Sequence, residues 1–220
     1  MSRILYSGTR NASSWAFRAW LALKEQGVEF EEVDVDIRRP QRWANLAKIA
    51  EISPAAAVPV FVDNGFVIYD SSAIMEYANE LGTSSLLPKD IKLRARARSM
   101  IAWQHSTFGN ICSGLSFESS FYPNKKQLSA DEKASAERIY SMWETELADH
   151  GGPYLVGDYS LADIAFVPSV LRLKLHHPVT NDWPLTAEWM RQLLNRPLVQ
   201  EWLMDANKLP PIYHEGYHRG

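Results

Sequence analysis

The feature that most constrains the fold is a change of hydrophobic period along the chain. Residues 1–81 alternate between short apolar runs, which are typical of strands, and longer segments in which apolar residues recur with helical spacing. Their order predicts β-α-β-α-β-β-α, a small sheet with helices on its faces. Residues 82–90 are rich in turn formers, and every later periodic segment is helical. We therefore predict an α/β domain at 1–81, a linker at 82–90 and an all-helical domain at 91–220.

Capping and turn residues set the predicted element boundaries. Gly27 ends the first helix, and Asn64-Gly65 forms the turn of a hairpin. Ser160 and Asp163 form a capping box that starts a buried helix, and we give this box a structural role only. The predicted helices are 14–26, 41–50, 71–81, 91–118, 130–149, 161–175, 184–194 and 197–205.

Composition excludes several classes of protein. The 220 residues include 23 basic and 26 acidic ones, so no overall positive charge is available to hold nucleic acid or an anionic membrane. A single cysteine, Cys112, excludes an internal disulfide and is typical of a reducing compartment. The N-terminus has no signal-peptide pattern, and no run reaches the roughly 18 apolar residues that a membrane-spanning helix needs. We therefore expect a cytoplasmic protein without nucleic-acid or membrane partners.

Three segments with candidate binding groups stand where elements join. The first is "RNASSW", residues 10–15, between the first strand and the first helix. The second is Val58-Pro59, where a cis peptide bond costs little and would turn the Val58 backbone outward to pair with a bound peptide. The third is "DSS", residues 70–72, which gathers hydroxyl and N–H groups at a helix N-terminus, an end that favours a carboxylate or phosphate. Each also has a plain structural interpretation, as a helix cap or a loop proline.

Taken together, three longer segments resemble the cytosolic glutathione transferase family. They are "ILYSGTRNASSWAFRAWLAL", "VPVFVDNGFVIYDSSAIMEY" and "YLVGDYSLADIAFVPSVL", and they occur in the family's order and spacing. The first is most similar to serine-type, zeta-like bacterial members, which carry a serine-rich motif before Trp-x-x-Arg. The resemblance implies a thioredoxin-like first domain, an all-helical second domain and a homodimer. It also implies glutathione as co-substrate, with no metal or organic cofactor.

The resemblance further implies where glutathione would bind. Its cysteinyl backbone would pair with Val58 beside a cis Pro59. Its γ-glutamyl end would meet Asp70, Ser71 and Ser72 at the helix N-terminus. A free thiol has a pKa of about 8.5, and hydrogen bonds together with the positive end of the first helix would favour the thiolate, the form that attacks electrophiles.

The side chain that donates a hydrogen bond to sulfur has more than one candidate. When Trp15 and Arg18 are aligned with the zeta pattern, Asn11 takes the place of the usual catalytic serine. Ser13 then falls where that class has a cysteine. An asparagine amide can donate a hydrogen bond to a thiolate but cannot act as a base. We keep Ser13 and Asn11 as catalytic candidates, with Ser14 as a third candidate and the expected helix cap.

The residues before the Val-Pro pair depart from the family's pattern. Ala56 and Ala57 stand where many members place a lysine or glutamine. Alanine binds no polar group, so we expect weaker glutathione binding. The glycyl carboxylate would be met instead by Arg39, Arg42 or Lys48.

One face of the first helix after the linker is the predicted electrophile pocket. Four residues at i, i+4, i+5 and i+8 share this face, which the resemblance places between the domains. They are Trp103, Thr107, Phe108 and Ile111. The same face would also suit core packing or a subunit interface.

These residues predict a glutathione transferase that activates the glutathione thiol and joins it to small apolar electrophiles, a detoxification chemistry. The zeta-like segment allows an alternative, a glutathione-dependent cis–trans isomerase in which the thiolate adds to a conjugated double bond and leaves after rotation. A negatively charged substrate of that kind would need basic groups such as Arg10 and Arg18. The second alternative is a binding or assembly module that keeps the fold without turnover, which the Ala56-Ala57 departure and Asn11 favour.

Overall fold

The structure is a computed structural model that describes residues 2–106, 115–211, 213 and 217. The chain divides into two compact units. The first comprises Met1–Ser85 and Glu201–Ile212, and the second comprises Leu86–Gln200 and Tyr213–Gly220.

The described part of the first unit contains a four-stranded sheet. Its strands are β1 (Arg3–Gly8), β2 (Glu31–Val35), β3 (Val60–Asp63) and β4 (Phe66–Tyr69), and its helices are α1 (Ser14–Glu25), α2 (Arg42–Ala50) and α3 (Ser71–Leu81). The strand order is β2-β1-β3-β4, with β1 parallel to β2 and the other neighbours antiparallel. The hairpin turns at Asn64 and Gly65, whose φ angles of +48° and +88° are those of the predicted two-residue turn. This is the predicted thioredoxin-like order.

Helix α1 is buried along most of its length. The side chains of Phe17 and Trp20 are fully buried, and removing aromatic side chains of this size from water is a major stabilising contribution. Gly27, with a φ of +65°, follows the end of the helix as predicted. The helix is therefore fixed by burial and by its ends, so its N-terminus has a defined position.

The strand register brings two helix N-termini to one edge of the sheet. Val60 pairs with Tyr6 of β1 and with Tyr69 of β4. The residues just before Val60 and those just after Tyr6 and Tyr69 therefore lie at the same edge. Since α1 follows β1 and α3 follows β4, both helices begin there. A helix N-terminus offers free N–H donors and a partial positive charge, so this edge suits an anionic ligand.

The second unit is helical in its described part. Its helices are α4 (Ile91–Ser106), α5 (Ala130–His150), α6 (Leu161–His176) and α7 (Pro184–Leu194), with a short 3-10 helix at Phe117–Phe121, and α8 (Pro197–Lys208) continues from this unit into the first. The predicted capping box is confirmed, because the Ser160 N–H donates to Asp163 Oδ2 at 2.9 Å. Most of the α6 side chains that follow are buried.

Asp163 is fully buried beneath this cap. Desolvation raises the pKa of its carboxyl to about 6, although donated hydrogen bonds pull the pKa the other way. Oδ1 accepts Trp189 Nε1 at 2.8 Å and the Leu155 N–H at 3.1 Å. The group ties α7 and the preceding loop to the start of α6, which is a structural role.

The helix predicted at 91–118 does not reach its predicted end. Ser116 is extended, with a ψ of 155°, and a 3-10 helix begins at the next residue. The Ser119 hydroxyl donates to the Ser116 carbonyl at 2.6 Å. Such side-chain bonds to nearby backbone compete with helical pairing, which the hydrophobic spacing does not show.

Residues 201–211 belong to the predicted helical domain, but in the structure they are part of the first unit. The reason is the stacking of aromatic side chains. Trp202 stacks on Phe17 of α1, with ring centroids 4.7 Å apart. It also meets the Trp20 ring edge-on at 5.4 Å. These contacts make the end of α8 part of the unit that carries α1.

Two kinds of feature are absent from the described residues. None of their helices combines the length and the hydropathy that crossing a bilayer would require. No group of three or more His, Cys, Asp or Glu side chains in this part of the chain is placed to hold a metal ion.

Candidate functional site

The join between β1 and α1 is a tight turn fixed by Thr9. Its carbonyl accepts the N–H groups of Ala12 and Ser13, both at 2.9 Å. Its hydroxyl donates to Asp36 Oδ1 at 3.2 Å, which ties the turn to the segment after β2. Hydrogen bonds from Arg38 hold the pKa of the Asp36 carboxyl below its usual value, so the acceptor stays charged. Thr9 therefore both closes the turn and ties it to the segment after β2.

Ser13 is the N-cap of α1. Its backbone is extended, with φ −108° and ψ 97°, and its Oγ accepts the Ala16 N–H at 3.1 Å. The prediction that Ser14 caps the helix is wrong by one residue, because Ser14 is already helical and the residue before it supplies the capping oxygen. Ser13 is only 3% exposed. Among the described residues, no acceptor takes the proton of its hydroxyl, so this proton is available to a ligand.

Gly8, at the end of β1, brings two of the predicted segments together and was not predicted as a site residue. A Cβ placed on it would lie 2.6 Å from Ser13 Cβ and 2.8 Å from Val58 Cγ2. Only glycine fits between these two side chains without a shift. The sequence signal was a glycine in a strand, which often marks a close approach of another group. Ser13 and Val58 therefore border the same small space.

The Val58-Pro59 peptide bond is cis, as predicted. Pro59 is buried, and Val58 is half-buried against the apolar cluster of Val35, Ile49 and Val60. This cluster joins β2, α2 and β3. The residue predicted to pair with a peptide backbone is thus held in place from behind by the core.

The second helix N-terminus at this edge belongs to α3. Asp70 is its N-cap, with an unusual φ of +76°, and its Oδ1 accepts the Ser72 N–H at 2.8 Å. Ser71 is 2% exposed, and its hydroxyl has no hydrogen-bond partner among the described residues. An unpaired buried hydroxyl is costly. It is a group that a ligand at this helix end would satisfy.

The Asn11 amide is engaged with the segment after α8. Its Nδ2 donates to the carbonyls of Leu209 and Pro210, at 3.5 and 3.2 Å. The Nδ2 donor is thereby engaged with this segment, and the buried Oδ1 has no partner among the described residues. An amide nitrogen that already donates elsewhere is a weaker candidate than Ser13 for the donor to a thiolate. The two catalytic candidates from the sequence are therefore not equivalent in the structure.

The two arginines predicted for an anionic substrate are both engaged in the first unit. Arg10 pairs with Glu32 at 2.6 Å, and its Cζ lies 4.4 Å from the ring centroid of Trp202. Arg18 is 2% exposed, and its Cζ lies 4.3 Å from the ring centroid of Trp15. Both guanidinium groups therefore already interact with side chains of the first unit, Glu32 and Trp202 for Arg10 and Trp15 for Arg18.

Three basic residues were predicted to meet the glycyl carboxylate. Arg39 and Lys48 are exposed, whereas Arg42 is half-buried on α2. The Arg42 guanidinium lies 5.4 Å from the ring centroid of Trp43, and its buried Nε has no partner among the described residues. Arg42 therefore carries a donor that a carboxylate would satisfy.

Of the predicted electrophile pocket, Trp103 is described, and Thr107, Phe108 and Ile111 lie outside the described residues. The Trp103 ring lies 6.0 Å from Phe166 of α6. It also borders a cavity of about 240 Å³ within the second unit, whose other lining residues are Arg96, Ser99, Met100, Met142 and Glu146. The electrophile pocket stays a prediction.

Two family sequence models match the chain. The "Glutathione S-transferase, N-terminal domain" matches residues 12–81. The "Glutathione S-transferase, C-terminal domain" matches residues 90–203, which is more than half of the 220 residues.

Named relatives and a solved structure are similar over most of their length. A probable maleylacetoacetate isomerase of Caenorhabditis elegans is 33% identical over 176 residues, covering 76% of this chain and 77% of that protein. A maleylacetoacetate isomerase of Mus musculus is 29% identical over 197 residues, covering 87% of each. The crystal structure of a glutathione transferase homolog from Burkholderia gl BGR1, with bound glutathione, has a TM-score of 0.71 and 26% identity, and the match covers 95% of this chain and 100% of that one.

Proposed function

Because this chain belongs to the glutathione S-transferase family, we propose that it binds reduced glutathione and activates the thiol for conjugation to small apolar electrophiles. The observation that carries the proposal is the meeting of Ser13 and Val58 around Gly8, at the sheet edge where α1 and α3 begin. Glutathione is an extended tripeptide with two carboxylates. It therefore suits an edge that offers backbone groups for pairing and helix N-termini for anions.

We assign a counterpart in the first unit to each part of glutathione. The cysteinyl backbone would pair with Val58 beside Pro59. The γ-glutamyl carboxylate would meet the N-terminus of α3 and the Ser71 hydroxyl, which lacks a partner among the described residues. The exposed carboxylate of Asp70 would accept the ammonium group. The buried Nε of Arg42 would serve the glycyl carboxylate.

Ser13 is the side chain that we assign to the thiol. Its oxygen accepts the Ala16 N–H, which polarises the hydroxyl and strengthens the hydrogen bond that its proton makes. The positive end of α1 acts in the same direction. The glutathione S–H gives its proton to solvent. The thiolate held by Ser13 then attacks the electrophile, and a C–S bond forms while the leaving group departs with its electron pair.

The remaining parts of the proposal concern the electrophile, the assembly and the compartment. The electrophile would lie against the face that carries Trp103, Thr107, Phe108 and Ile111. The enzyme would be a homodimer, as is usual in the family. It would act in the cytoplasm, where a single free cysteine is stable. Conjugation would need no metal or organic cofactor, because the thiolate itself is the nucleophile.

A second function, glutathione-dependent cis–trans isomerisation, is favoured by the names of the two maleylacetoacetate isomerase relatives. The same thiolate would add to a conjugated double bond, rotation would follow, and the C–S bond would break to release glutathione unchanged. The substrate is anionic and needs basic groups. Arg10 already pairs with Glu32, which weakens its use for this purpose.

The test is an ultraviolet difference titration of bound glutathione, combined with turnover of two substrates. We expect the thiol pKa to lie at least one unit below its ordinary value of about 8.5, with conjugation of 1-chloro-2,4-dinitrobenzene. Faster conversion of maleylacetoacetate, without consumption of glutathione, would favour the isomerase. An unshifted thiol pKa with neither reaction would refute both enzymatic functions and leave the binding or assembly module.

A further inference from the structure

We infer that residues 202–210, which we name the brace, position Ser13 for the thiol, and that Asn11 and Trp202 are positioning residues of the enzyme. The inference rests on the proposed function, in which Ser13 donates to sulfur. The brace consists of the last turns of α8 and the two residues after it, and it belongs to the first unit. Its residues contact Arg10 and Asn11 before Ser13, and Phe17 after it.

Trp202 contacts the chain on both sides of Ser13, at Arg10 and at Phe17. Its Nε1 donates to the Arg10 carbonyl at 3.0 Å, three residues before Ser13. Its ring stacks on Phe17, four residues after Ser13, with centroids 4.7 Å and planes 7° apart. The indole is fully buried. One rigid side chain therefore fixes both the turn that leads to the cap and the first helical turn that follows it.

The Arg10 side chain gives the brace a second contact with the turn. Its Cζ lies 4.4 Å from the Trp202 ring centroid, and its Nε lies 3.8 Å from Asp205 Oδ2. The same guanidinium pairs with Glu32 of β2 at 2.6 Å. The Arg10 side chain therefore joins the brace to the sheet.

Asn11 gives the third contact. Its Nδ2 donates to the carbonyls of Leu209 and Pro210, which follow the end of α8, where backbone carbonyls lack helical partners. Asn11 is 2% exposed, so these bonds are shielded from water. With residues 10 and 11 both held, the turn closed by the Thr9 carbonyl has little freedom. The fixed turn thus determines the position of Ser13 and the orientation of its hydroxyl.

A hydrogen bond to a thiolate depends strongly on geometry. A misplacement of about 1 Å can cost about 100-fold in rate even when the substituted residue lies away from the reacting atoms. Glutathione affinity, in contrast, comes mainly from backbone pairing at Val58 and from the α3 N-terminus. Loss of the brace should therefore change the thiol pKa and kcat while leaving the dissociation constant of glutathione nearly unchanged.

The experiment compares Trp202→Phe and Asn11→Ala with Trp189→Phe. Trp202→Phe keeps an aromatic ring on Phe17 but removes the indole N–H that donates to the Arg10 carbonyl. Trp189→Phe is the matched control, since it removes an indole hydrogen bond of 2.8 Å to Asp163 in the second unit. The first two variants should raise the thiol pKa of bound glutathione and lower kcat about tenfold, with a glutathione dissociation constant within about twofold of wild type. The control should lose stability only.

A mutant cycle separates positioning from direct contact. In a Ser13→Ala background, neither Trp202→Phe nor Asn11→Ala should change the thiol pKa further, because both act through Ser13. A further rise of the same size in this background would show that Asn11 or Trp202 acts on sulfur without Ser13, and it would overturn the inference.

Amide hydrogen exchange without glutathione distinguishes failure of the brace from failure of the proposed function. Faster exchange at Ala12, Ser13 and Ala16 in Trp202→Phe, and not in Trp189→Phe, supports the brace even if wild-type protein does not shift the thiol pKa. Unchanged exchange with an unchanged thiol pKa refutes the brace and leaves the proposed function intact. If the wild-type enzyme is active, and Trp202→Phe shows faster exchange but keeps the wild-type thiol pKa, the brace is refuted as well.

Discussion

Replacing Ser13 with alanine separates the two things that its hydroxyl does. As the N-cap of α1 it accepts the Ala16 N–H at 3.1 Å, and loss of such a cap costs about 1 kcal/mol of the free energy of unfolding. As the proposed donor to a thiolate it makes a hydrogen bond to a charged group, which contributes about 1.5–3 kcal/mol. At about 1.4 kcal/mol per pKa unit, the thiol pKa of bound glutathione should rise by about 1 to 2 units in Ser13→Ala.

Two measurements and one control variant test this pair of effects. Urea unfolding measures the lost cap, and the ultraviolet titration measures the thiol pKa. Ser129→Ala is the matched control, because Ser129 caps α5 and its Oγ accepts the Glu132 N–H at 3.2 Å. The control should lose similar stability with an unchanged thiol pKa. At a pH below both thiol pKa values, Ser13→Ala should lower kcat/KM about 10- to 100-fold, in proportion to the thiolate fraction.

One result would refute the reasoning directly. If Ser13→Ala loses stability as Ser129→Ala does but keeps the wild-type thiol pKa, Ser13 is a helix cap and nothing more. Wild-type activity in Ser13→Ala, together with a lost thiolate in Asn11→Ala, would instead assign the thiol to Asn11.

Three further predictions concern groups outside this pair. Ser71→Ala should leave the free energy of unfolding unchanged or slightly higher, since the buried hydroxyl has no partner among the described residues, and it should weaken glutathione binding about fivefold in calorimetry; equal affinity would exclude Ser71 from the site. Gly8→Ala should lower the free energy of unfolding by about 1–3 kcal/mol, because the new Cβ would lie 2.6 Å from Ser13 Cβ; wild-type stability would contradict this. Burial raises the pKa of Asp163 from 3.8 to about 6, so the stability it contributes is fully present below about pH 4 and is lost as the pH rises through about 6, a change of about 3 kcal/mol. Urea titrations across this range should show that change in wild type and not in Asp163→Asn, and the same dependence in both would refute the assignment.

The local parts of the fold could be predicted because short-range chemistry determines them. Helix α3 has its predicted bounds, Ser71–Leu81, since an aspartate cap precedes it and a glycine follows it. The Asn64-Gly65 turn and the Ser160 capping box were read from a few adjacent residues in the same way. The cap of α1 was wrong by one residue, because two neighbouring serines offer the same oxygen and helical spacing does not determine which of them is already helical.

The distant parts of the site could not be predicted from the sequence. Asn11 donates to carbonyls 198 and 199 residues away, and every residue has a carbonyl, so no pattern marks these two. Trp202 lies in a helix predicted for the helical domain, and no local pattern in the sequence marks its stacking on Phe17. Gly8 was overlooked because its importance lies in the side chains that approach it from two other segments.

The place of Trp202 in the first unit also determines when this unit can finish folding during synthesis. A ribosome releases β1, α1 and the rest of the sheet first, then residues 86–200 of the second unit, and only afterwards the residue whose indole packs on Phe17 and Trp20. A nascent chain that stops before Trp202 holds every strand of the sheet and still exposes those two aromatic faces, a state in which chaperones bind and aggregation begins. The proposed thiol site would therefore be completed late, because the residues that hold its turn follow every strand of the described sheet in the chain.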